Sequence, residues 1–151
     1  MRRYRVLFVC VGNSCRSQMA EGLARAYGGD VLEAESAGLS PCGEIFPPTI
    51  QVMLEKNISL EGAESKGVDP ERLSEFDLIV NLSGWEFPYP TANPVRTWMV
   101  DDPFGLNLEH HRAIRDQIEG RVQELIAELR RKPRPGPTHL TGPPPVYHNR
   151  E

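Results

Sequence analysis

Apolar residues follow two spacings along the chain, one typical of buried strands and one typical of amphipathic helices. The continuous apolar run from Val6 to Val9 ends at a glycine-containing loop, which predicts a strand buried on both faces. From Ser17 the apolar residues recur at helical spacing until Gly28 and Gly29, so we predict a first helix there. Its apolar stripe comprises Met19, Ala20, Leu23, Ala24 and Tyr27.

The same two patterns recur through the rest of the chain. They predict strands over 31–36, 77–81 and 95–100, and helices over 49–56 and 109–131. Strands that alternate with helices indicate the α/β class, here a three-layer arrangement with a four-stranded parallel sheet and helices on both faces. Side chains expected to face the core from the second helix are Ile50, Met53 and Leu54, while His110 and His111 are expected on an exposed surface of the last helix.

The composition changes after Arg131. Six prolines lie between residues 133 and 145, among Gly, Thr and Arg, and such a segment forms neither helix nor central strand. We therefore expect a catalytic domain over 1–131 and a Pro-rich C-terminal tail over 132–151. Within that tail, Tyr147 is a candidate phosphorylation or docking site.

Length, charge and cysteine content narrow the class of protein. A chain of 151 residues can bury a core without disulfides or metals. With 17 Lys and Arg against 21 Asp and Glu, the net charge of −4 disfavours a nucleic-acid partner. No signal-peptide core or membrane span is evident, and an odd count of three cysteines is a poor disulfide framework. We expect a cytoplasmic protein without a membrane partner, and no cofactor or metal, because no His, Cys and carboxylate cluster has ligand spacing.

The loop from Cys10 to Ser17 carries the candidate chemistry. It joins the first buried strand to the first helix, so its backbone N–H groups and the positive end of the helix dipole are expected to form an anion site. Gly12 permits an unusual backbone conformation, and the planar fork of Arg16 can hold two oxygens of a tetrahedral anion. The same field stabilises a thiolate at Cys10, the candidate nucleophile. The loop residues expected to bind or support the oxyanion are Val11, Gly12, Asn13, Ser14, Cys15 and Ser17.

This loop, followed by Gln18-Met19-Ala20-Glu21-Gly22, resembles the low-molecular-weight protein tyrosine phosphatase superfamily, and more narrowly its thioredoxin-coupled arsenate reductases. The similarity covers about residues 4 to 131 and continues through Ser36-Ala37-Gly38, Val52-Met53-Leu54-Glu55, Ser65-Lys66 and Asp101-Asp102-Pro103. It implies a four-stranded parallel α/β domain with Cys10 as nucleophile and Arg16 as oxyanion clamp. It also implies that Asn13 stabilises the loop backbone, with hydrogen-bond support from Ser17 and Ser36.

The resemblance also identifies a general acid. Asp102 matches the family's acid, with Asp101 as a second candidate, and Pro103 restricts Asp102 to an extended conformation. Four aromatic residues are candidates for a pocket that holds a phenyl ring, although Phe104-Gly105 stands where the tyrosine phosphatases usually have tyrosines. These candidates are Trp85, Phe87, Tyr89 and Phe104.

Two activities share the first chemical step and differ in the second. A phosphatase releases a phosphocysteine with water, whereas the arsenate reductases of this branch pass oxidation to two later cysteines. Ser83 and Phe87 occupy the places of those cysteines, and a hydroxyl cannot carry a redox relay. We therefore predict a phosphomonoesterase that acts on aryl phosphates or phosphotyrosine proteins through a phosphocysteine on Cys10.

Two alternatives remain open. The first is an arsenate reductase that uses an external thiol such as glutathione or mycothiol. Such a reductase could instead use Cys15 or Cys42 as the second thiol, which resolves the intermediate on Cys10. For Cys15, a disulfide with Cys10 fits a reversible protective inactivation better than it fits a step of arsenate reduction. The further alternative is an inactive oxyanion-binding or redox-sensing protein on the same fold.

Overall fold

Four parallel strands form one sheet in the computed structural model, which describes residues 2–136. The strands are β1 (Tyr4–Cys10), β2 (Leu32–Gly38), β3 (Leu78–Asn81) and β4 (Val95–Thr97), and their order in the sheet is β2-β1-β3-β4. The chain steps from β1 to β2 on one side and returns to β3 on the other, so the strand order reverses at β1. A crevice is expected at the carboxyl end of a strand at such a switch point, and Cys10 is the last residue of β1.

Residues 2–136 also form three α-helices and one 3₁₀-helix, of which the last α-helix follows β4. They are α1 (Arg16–Gly28), α2 (Pro47–Leu54), the 3₁₀-helix Pro70–Glu75 and α3 (Leu108–Arg131). Proline occupies the first turn of α2, where a missing N–H costs nothing. Asn107 caps α3, because its side chain accepts a hydrogen bond of 3.0 Å from the backbone N–H of His110.

The side chains of β1 alternate between two hydrophobic clusters, one on each face of the sheet. Val6 and Phe8 belong to the larger cluster, which all three α-helices share. Leu7 and Val9 belong to the smaller cluster, which Leu73 of the 3₁₀-helix joins. The continuous apolar run of β1 follows from this two-sided burial. The predicted four-stranded parallel α/β fold is confirmed, and the helical cover of the second face is the 3₁₀-helix.

Several local predictions differ from the structure. β4 ends at Thr97 instead of Val100, and α2 begins at Pro47 instead of Thr49. In α2 the expectation for Met53 is confirmed, whereas Ile50 and Leu54 are 37% and 54% exposed. Helical spacing shows which residues share a face, but in so short a helix it does not show which face the core covers.

The expectation for His111 was also wrong. This residue is fully buried, and its ring stacks on Phe46 with 6.1 Å between the ring centroids. The Nδ1 atom lies 2.9 Å from the backbone oxygen of Asn107. Sequence spacing shows that α3 is amphipathic. It does not show that Phe46, which is far away in sequence, covers His111 in the first turn of α3.

Residues 133–136 lie against the amino-terminal end of the sheet. The Tyr4 hydroxyl donates to the backbone oxygen of Pro133, and Arg2 Nε donates to that of Gly136 at 2.6 Å. Tyr147 and the remainder of the predicted tail lie outside the described residues. No helix in the range 2–136 has the length and apolar character needed to cross a membrane.

Candidate active site

The loop that follows β1 has all of its carbonyl groups turned toward the surrounding protein. Residues 39–46, which we call the flanking segment, run beside this loop and donate four backbone hydrogen bonds to it. The bonds are Leu39 N to Cys10 O (2.9 Å), Ser40 N to Val11 O (2.8 Å), Cys42 N to Gly12 O (3.1 Å) and Phe46 N to Ser14 O (3.1 Å). The oxygens of Asn13 and Cys15 accept from the Gln18 side chain and from Met19 N.

The orientation of these carbonyls determines where the loop N–H groups point. In a peptide unit the N–H and C=O groups point in opposite directions, so carbonyls bound to the outside leave the amides facing inward. Among residues 2–136, no backbone acceptor is paired with the N–H groups of residues 11–15. Together with the N-terminus of α1, these amides form a concave set of donors, which is the arrangement suited to a tetrahedral anion.

Cys10 lies at the base of this donor set. The residue is 2% exposed, and its Sγ atom is 2.9 Å from Ser17 Oγ. Asn13 Nδ2 donates to Ser17 Oγ at 2.7 Å and to Ser36 Oγ at 3.0 Å. Because Ser17 Oγ already accepts from Asn13, its own proton is directed toward the Cys10 sulfur. In this position Ser17 can donate a hydrogen bond to a Cys10 thiolate.

Asn13 holds the loop in its unusual conformation. Its φ of 51° lies in the left-handed region, which asparagine tolerates better than most residues. The Oδ1 atom accepts from Lys66 N at 2.9 Å and from Gln18 Nε2 at 3.2 Å. Ser36, the second acceptor of the Asn13 amide, donates in turn to the buried carboxylate of Glu21.

Gly38 permits the close approach of β2 to the loop. A Cβ atom at this position would lie 2.6 Å from the oxygen of Val11 and 2.9 Å from the nitrogen of Asn13. Both neighbours are backbone atoms, so neither can rotate away. Only glycine therefore fits at the end of β2.

Arg16 contacts the chain segments that follow β3 and β4. The residue is 4% exposed, and Nη1 donates to the oxygens of Leu82 (2.7 Å) and Val100 (3.2 Å). Nη2 lies 3.4 Å from the Asp102 carboxylate. The buried Nε atom has no hydrogen-bond partner among the described residues. Since a buried donor without a partner is costly, an oxyanion in the loop is the natural acceptor for Nε.

Asp102 is the acidic residue that the structure brings to Arg16. Its side chain is 48% exposed, and its Oδ1 atom accepts from the backbone N–H of Phe104 at 3.0 Å. The turn that follows is closed by a bond of 2.9 Å from Leu106 N to Pro103 O. The carboxylate is thus held at the mouth of the site, where it can exchange protons with both solvent and a bound ligand.

The four predicted aromatic residues do not form one pocket. The ring of Phe104 packs against that of Phe46 in a tilted arrangement, with 4.7 Å between the centroids, and Phe46 is hydrogen-bonded to the loop through its backbone. Phe87 and Tyr89 contact each other and pack against the smaller hydrophobic cluster instead. Trp85 is 54% exposed. Sequence analysis missed Phe46, because the residue that brings it to the site is Ser14, 32 positions earlier, and no local pattern marks that contact.

The three cysteines have different environments. Burial raises the pKa of the Cys15 thiol to about 11. Cys42 is exposed, and hydrogen bonding with the backbone of Glu44 and with the Ser14 side chain lowers the pKa of its thiol. Ser83, which carries no thiol, donates to Asn81 Oδ1 at 2.6 Å. In the described part of the chain, no group of three or more His, Cys, Asp or Glu side chains could hold a metal ion.

Comparison with known proteins gives consistent matches. The family model for low molecular weight phosphotyrosine protein phosphatase matches residues 5–87. The chain is 35% identical to the glutaredoxin arsenate reductase of Synechocystis sp. over 129 residues, which cover 83% of this chain and 98% of the relative. A solved arsenate reductase in the phosphate binding state superposes with a TM-score of 0.77, at 34% identity and with 83% and 98% of the two chains covered. The low molecular weight protein tyrosine phosphatase of T. tengcongensis superposes with a TM-score of 0.74, at 27% identity and with 83% and 99% covered.

Proposed function

Because the chain belongs to the low molecular weight phosphotyrosine protein phosphatase family, we propose that it is an arsenate reductase in which Cys10 attacks the oxyanion and an external thiol supplies the electrons. The observation that carries the proposal is the outward pairing of every carbonyl from Cys10 to Cys15. This pairing leaves the loop amides as anion donors directly around a nucleophilic sulfur.

The first step needs only groups that the loop supplies. The loop amides and Arg16 bind three oxygens of arsenate, and the Cys10 thiolate attacks the arsenic atom. The fourth oxygen leaves as water once it is protonated. Asp102, beside Arg16 at the mouth of the site, is placed to deliver that proton.

The relatives support arsenate as the substrate over a phosphate ester. Proteins named as arsenate reductases in Synechocystis sp. and Staphylococcus haemolyticus align with this chain over 98% and 99% of their own lengths. This likeness outweighs the phosphomonoesterase interpretation that the sequence alone favours.

An external thiol is proposed as the reductant because of the residue at position 83. A serine stands there, and its hydroxyl is bound to Asn81 Oδ1 and 2.9 Å from the backbone N–H of Trp85. The low-molecular-weight thiols glutathione and mycothiol are the candidate reductants. Reduction by such a thiol fits a reducing compartment.

A phosphomonoesterase is the second candidate. The placement of the Asp102 carboxylate 3.4 Å from Arg16 favours it, since a general acid there can protonate a departing phenolate. Phe46 and Phe104 would then line the side of the site that an aryl group contacts.

The test measures both products in freshly reduced protein. Sustained arsenite formation from arsenate, beyond one arsenite per chain, that requires glutathione or mycothiol with the matching glutaredoxin, and that Cys10→Ser abolishes, would support the proposed function. Hydrolysis of p-nitrophenyl phosphate without arsenite formation would establish the phosphomonoesterase instead, and Asp102→Asn should then slow hydrolysis by roughly 10²-fold. Calorimetric binding of phosphate or arsenate with neither product would leave only an oxyanion-binding protein.

A further inference from the structure

We propose that Cys42 is the second thiol of arsenate reduction, which attacks the sulfur of arsenylated Cys10 and ends in a disulfide with it. This inference rests on the proposed arsenate reductase function, and it assigns a catalytic residue within that reaction. Three observations carry it: the pairing of the flanking segment with the loop, the exposure of Cys42, and the environments of the other candidate residues.

The flanking segment places Cys42 against the oxyanion loop. The backbone N–H of Cys42 donates to Gly12 O at 3.1 Å, in the same series of bonds that joins Leu39 to Cys10. The Cys42 Sγ atom lies 3.7 Å from the position that a Cβ at Gly12 would occupy. Cys42 therefore borders the loop at a residue only two positions from the nucleophile.

The local backbone leaves Cys42 accessible. No helix or strand includes residues 39–46, and Cys42 lies between Pro41 and Gly43, whose φ is 94°. Both neighbours of Cys42 are exposed. Gly12 has no side chain to stand between the Cys42 thiol and the loop backbone. Cys42 lies on the carbonyl side of the loop, so its approach to Cys10 requires that the Cys42–Gly12 backbone bond opens and that the irregular flanking segment rearranges, while the core stays in place.

The remaining candidates are unsuited to the step. Ser83 has no sulfur, and Cys15 is 3% exposed with a thiol whose pKa is raised to about 11. The pKa of Cys42 is lowered instead, which increases the fraction of thiolate available for attack. Arg16 Nε, buried and unpartnered among the described residues, marks the loop beside Cys42 as the place where the oxyanion binds.

The step conserves atoms and electrons. The Cys42 thiolate attacks the Cys10 sulfur, an S–S bond forms, and the Cys10 S–As bond breaks with its electron pair left on arsenic. As(V) becomes As(III), which departs as arsenite, while two thiols become one disulfide. Over both steps, arsenate and two thiols give arsenite, a disulfide and water.

The exposure of Cys42 also determines how the disulfide is reopened. An external thiolate of the glutathione or mycothiol class attacks the accessible Cys42 sulfur, and Cys10 departs as the thiolate that the loop stabilises. A second external thiol then releases Cys42 from the mixed disulfide.

The test is a single turnover without any external thiol. Reduced full-length protein is mixed with excess arsenate, arsenite is measured per chain, and free thiols are then alkylated before peptide mapping. We expect about one arsenite per chain together with a Cys10–Cys42 disulfide, and a decrease of roughly tenfold or more in Cys42→Ser and Cys42→Ala. Ser40→Ala is the matched control, because it changes an exposed side chain of the same segment and retains the backbone bond to Val11. Thermal unfolding verifies that each variant is folded.

The outcomes separate this inference from the proposed function. Undiminished arsenite in Cys42→Ser, or a disulfide between Cys10 and Cys15 that accompanies it, would overturn the assignment of Cys42. Steady turnover with glutathione or mycothiol but no arsenite in its absence would also overturn it, while the proposed function stands. Failure to form arsenite under every condition would reject the proposed function itself.

Discussion

Asn13 connects the oxyanion loop to two distant parts of the chain, β2 and the segment at Lys66, and also to Ser17 within the loop. Its amide donates to Ser17 and Ser36, and its Oδ1 atom accepts from the backbone of Lys66. The residue is fully buried, so each of these groups would lose a partner that water cannot replace. The Asn13 bond to Ser17 also directs the Ser17 proton toward the Cys10 sulfur.

Asn13→Ala is expected to lower the free energy of unfolding by about 3 kcal/mol, since it loses buried hydrogen bonds and keeps a left-handed φ. Asn57→Ala is the matched control: its φ is 62°, but the side chain is exposed, so we expect a loss of about 1 kcal/mol. Urea denaturation measures both variants. Equal losses would show that backbone strain, and not the hydrogen-bond network, accounts for the cost.

At the scale of elements, the packing of α1 on α3 distinguishes two helical glycines. A Cβ at Gly28 would lie 2.7 Å from side-chain atoms of the buried Ile126, whereas nothing lies within 4 Å of a Cβ at Gly120. Gly28 therefore allows the two helices to approach. Gly120, by contrast, only reduces the helix propensity of α3.

We predict opposite effects of alanine at these two positions. Gly120→Ala should raise the free energy of unfolding by about 0.5–1 kcal/mol, because it removes backbone entropy from the unfolded chain. Gly28→Ala should lower it by about 1–3 kcal/mol through overpacking against Ile126. Thermal and urea unfolding measure the free energy of unfolding of the two variants. If both substitutions lower it, the space beside Gly120 is not open.

The ion pair between β4 and α3 predicts a pH dependence of stability. Arg96 binds Glu128 through Nη1 and Nη2, with Nη1 to Oε1 at 2.7 Å, and Lys132 Nζ lies 2.9 Å from the same carboxylate. The Arg96 hydrogen bonds, with help from Lys132, lower the pKa of Glu128 to about 2. An unfolded glutamate has a pKa of about 4.3, so the pair contributes stability above about pH 5 and loses it as the pH falls toward 2.

Glu128→Gln should therefore cost about 1 kcal/mol at pH 7, a value reduced by solvent screening of a partly exposed pair, and the cost should vanish near pH 2. Glu124→Gln, an exposed glutamate one turn earlier on α3, provides the control. The midpoint of thermal unfolding is measured from pH 7 to pH 2 for the three proteins. A cost for Glu128→Gln that stays constant over this range would show that the pair is not electrostatic in origin.

At the scale of the whole molecule, sequence patterns predicted the structural features that depend on residues close together in the chain. The apolar run before Cys10 and the loop after it predict β1 and the place of the candidate oxyanion site, because strand, loop and helix are contiguous there. Phe46 and the pairing of the flanking segment were missed, since their contacts with the loop join residues about 30 positions apart. His111 was misplaced for the same reason: the ring that covers it, Phe46, comes from another part of the chain.

The position of residues 133–136 leads to a last prediction, on the separation of the tail from the catalytic domain. Tyr4, which binds Pro133, begins β1, and Cys10 ends it, so the contact lies about 20 Å from the nucleophile at the strand rise of about 3.3 Å per residue. A chain that ends at Lys132 loses the contacts of Tyr4 and Arg2 with this segment and should unfold about 2–4 °C lower. Its Cys10-dependent turnover should nevertheless stay within about twofold of the full chain, because no part of the donor set around Cys10 is disturbed.

A chain that ends at Gly136 is the control. It keeps these contacts and should match the full chain in both the unfolding temperature and the turnover. Loss of turnover in the chain that ends at Gly136 would show instead that residues 137–151 contribute to the active site, and the predicted boundary at Arg131 would have to be abandoned.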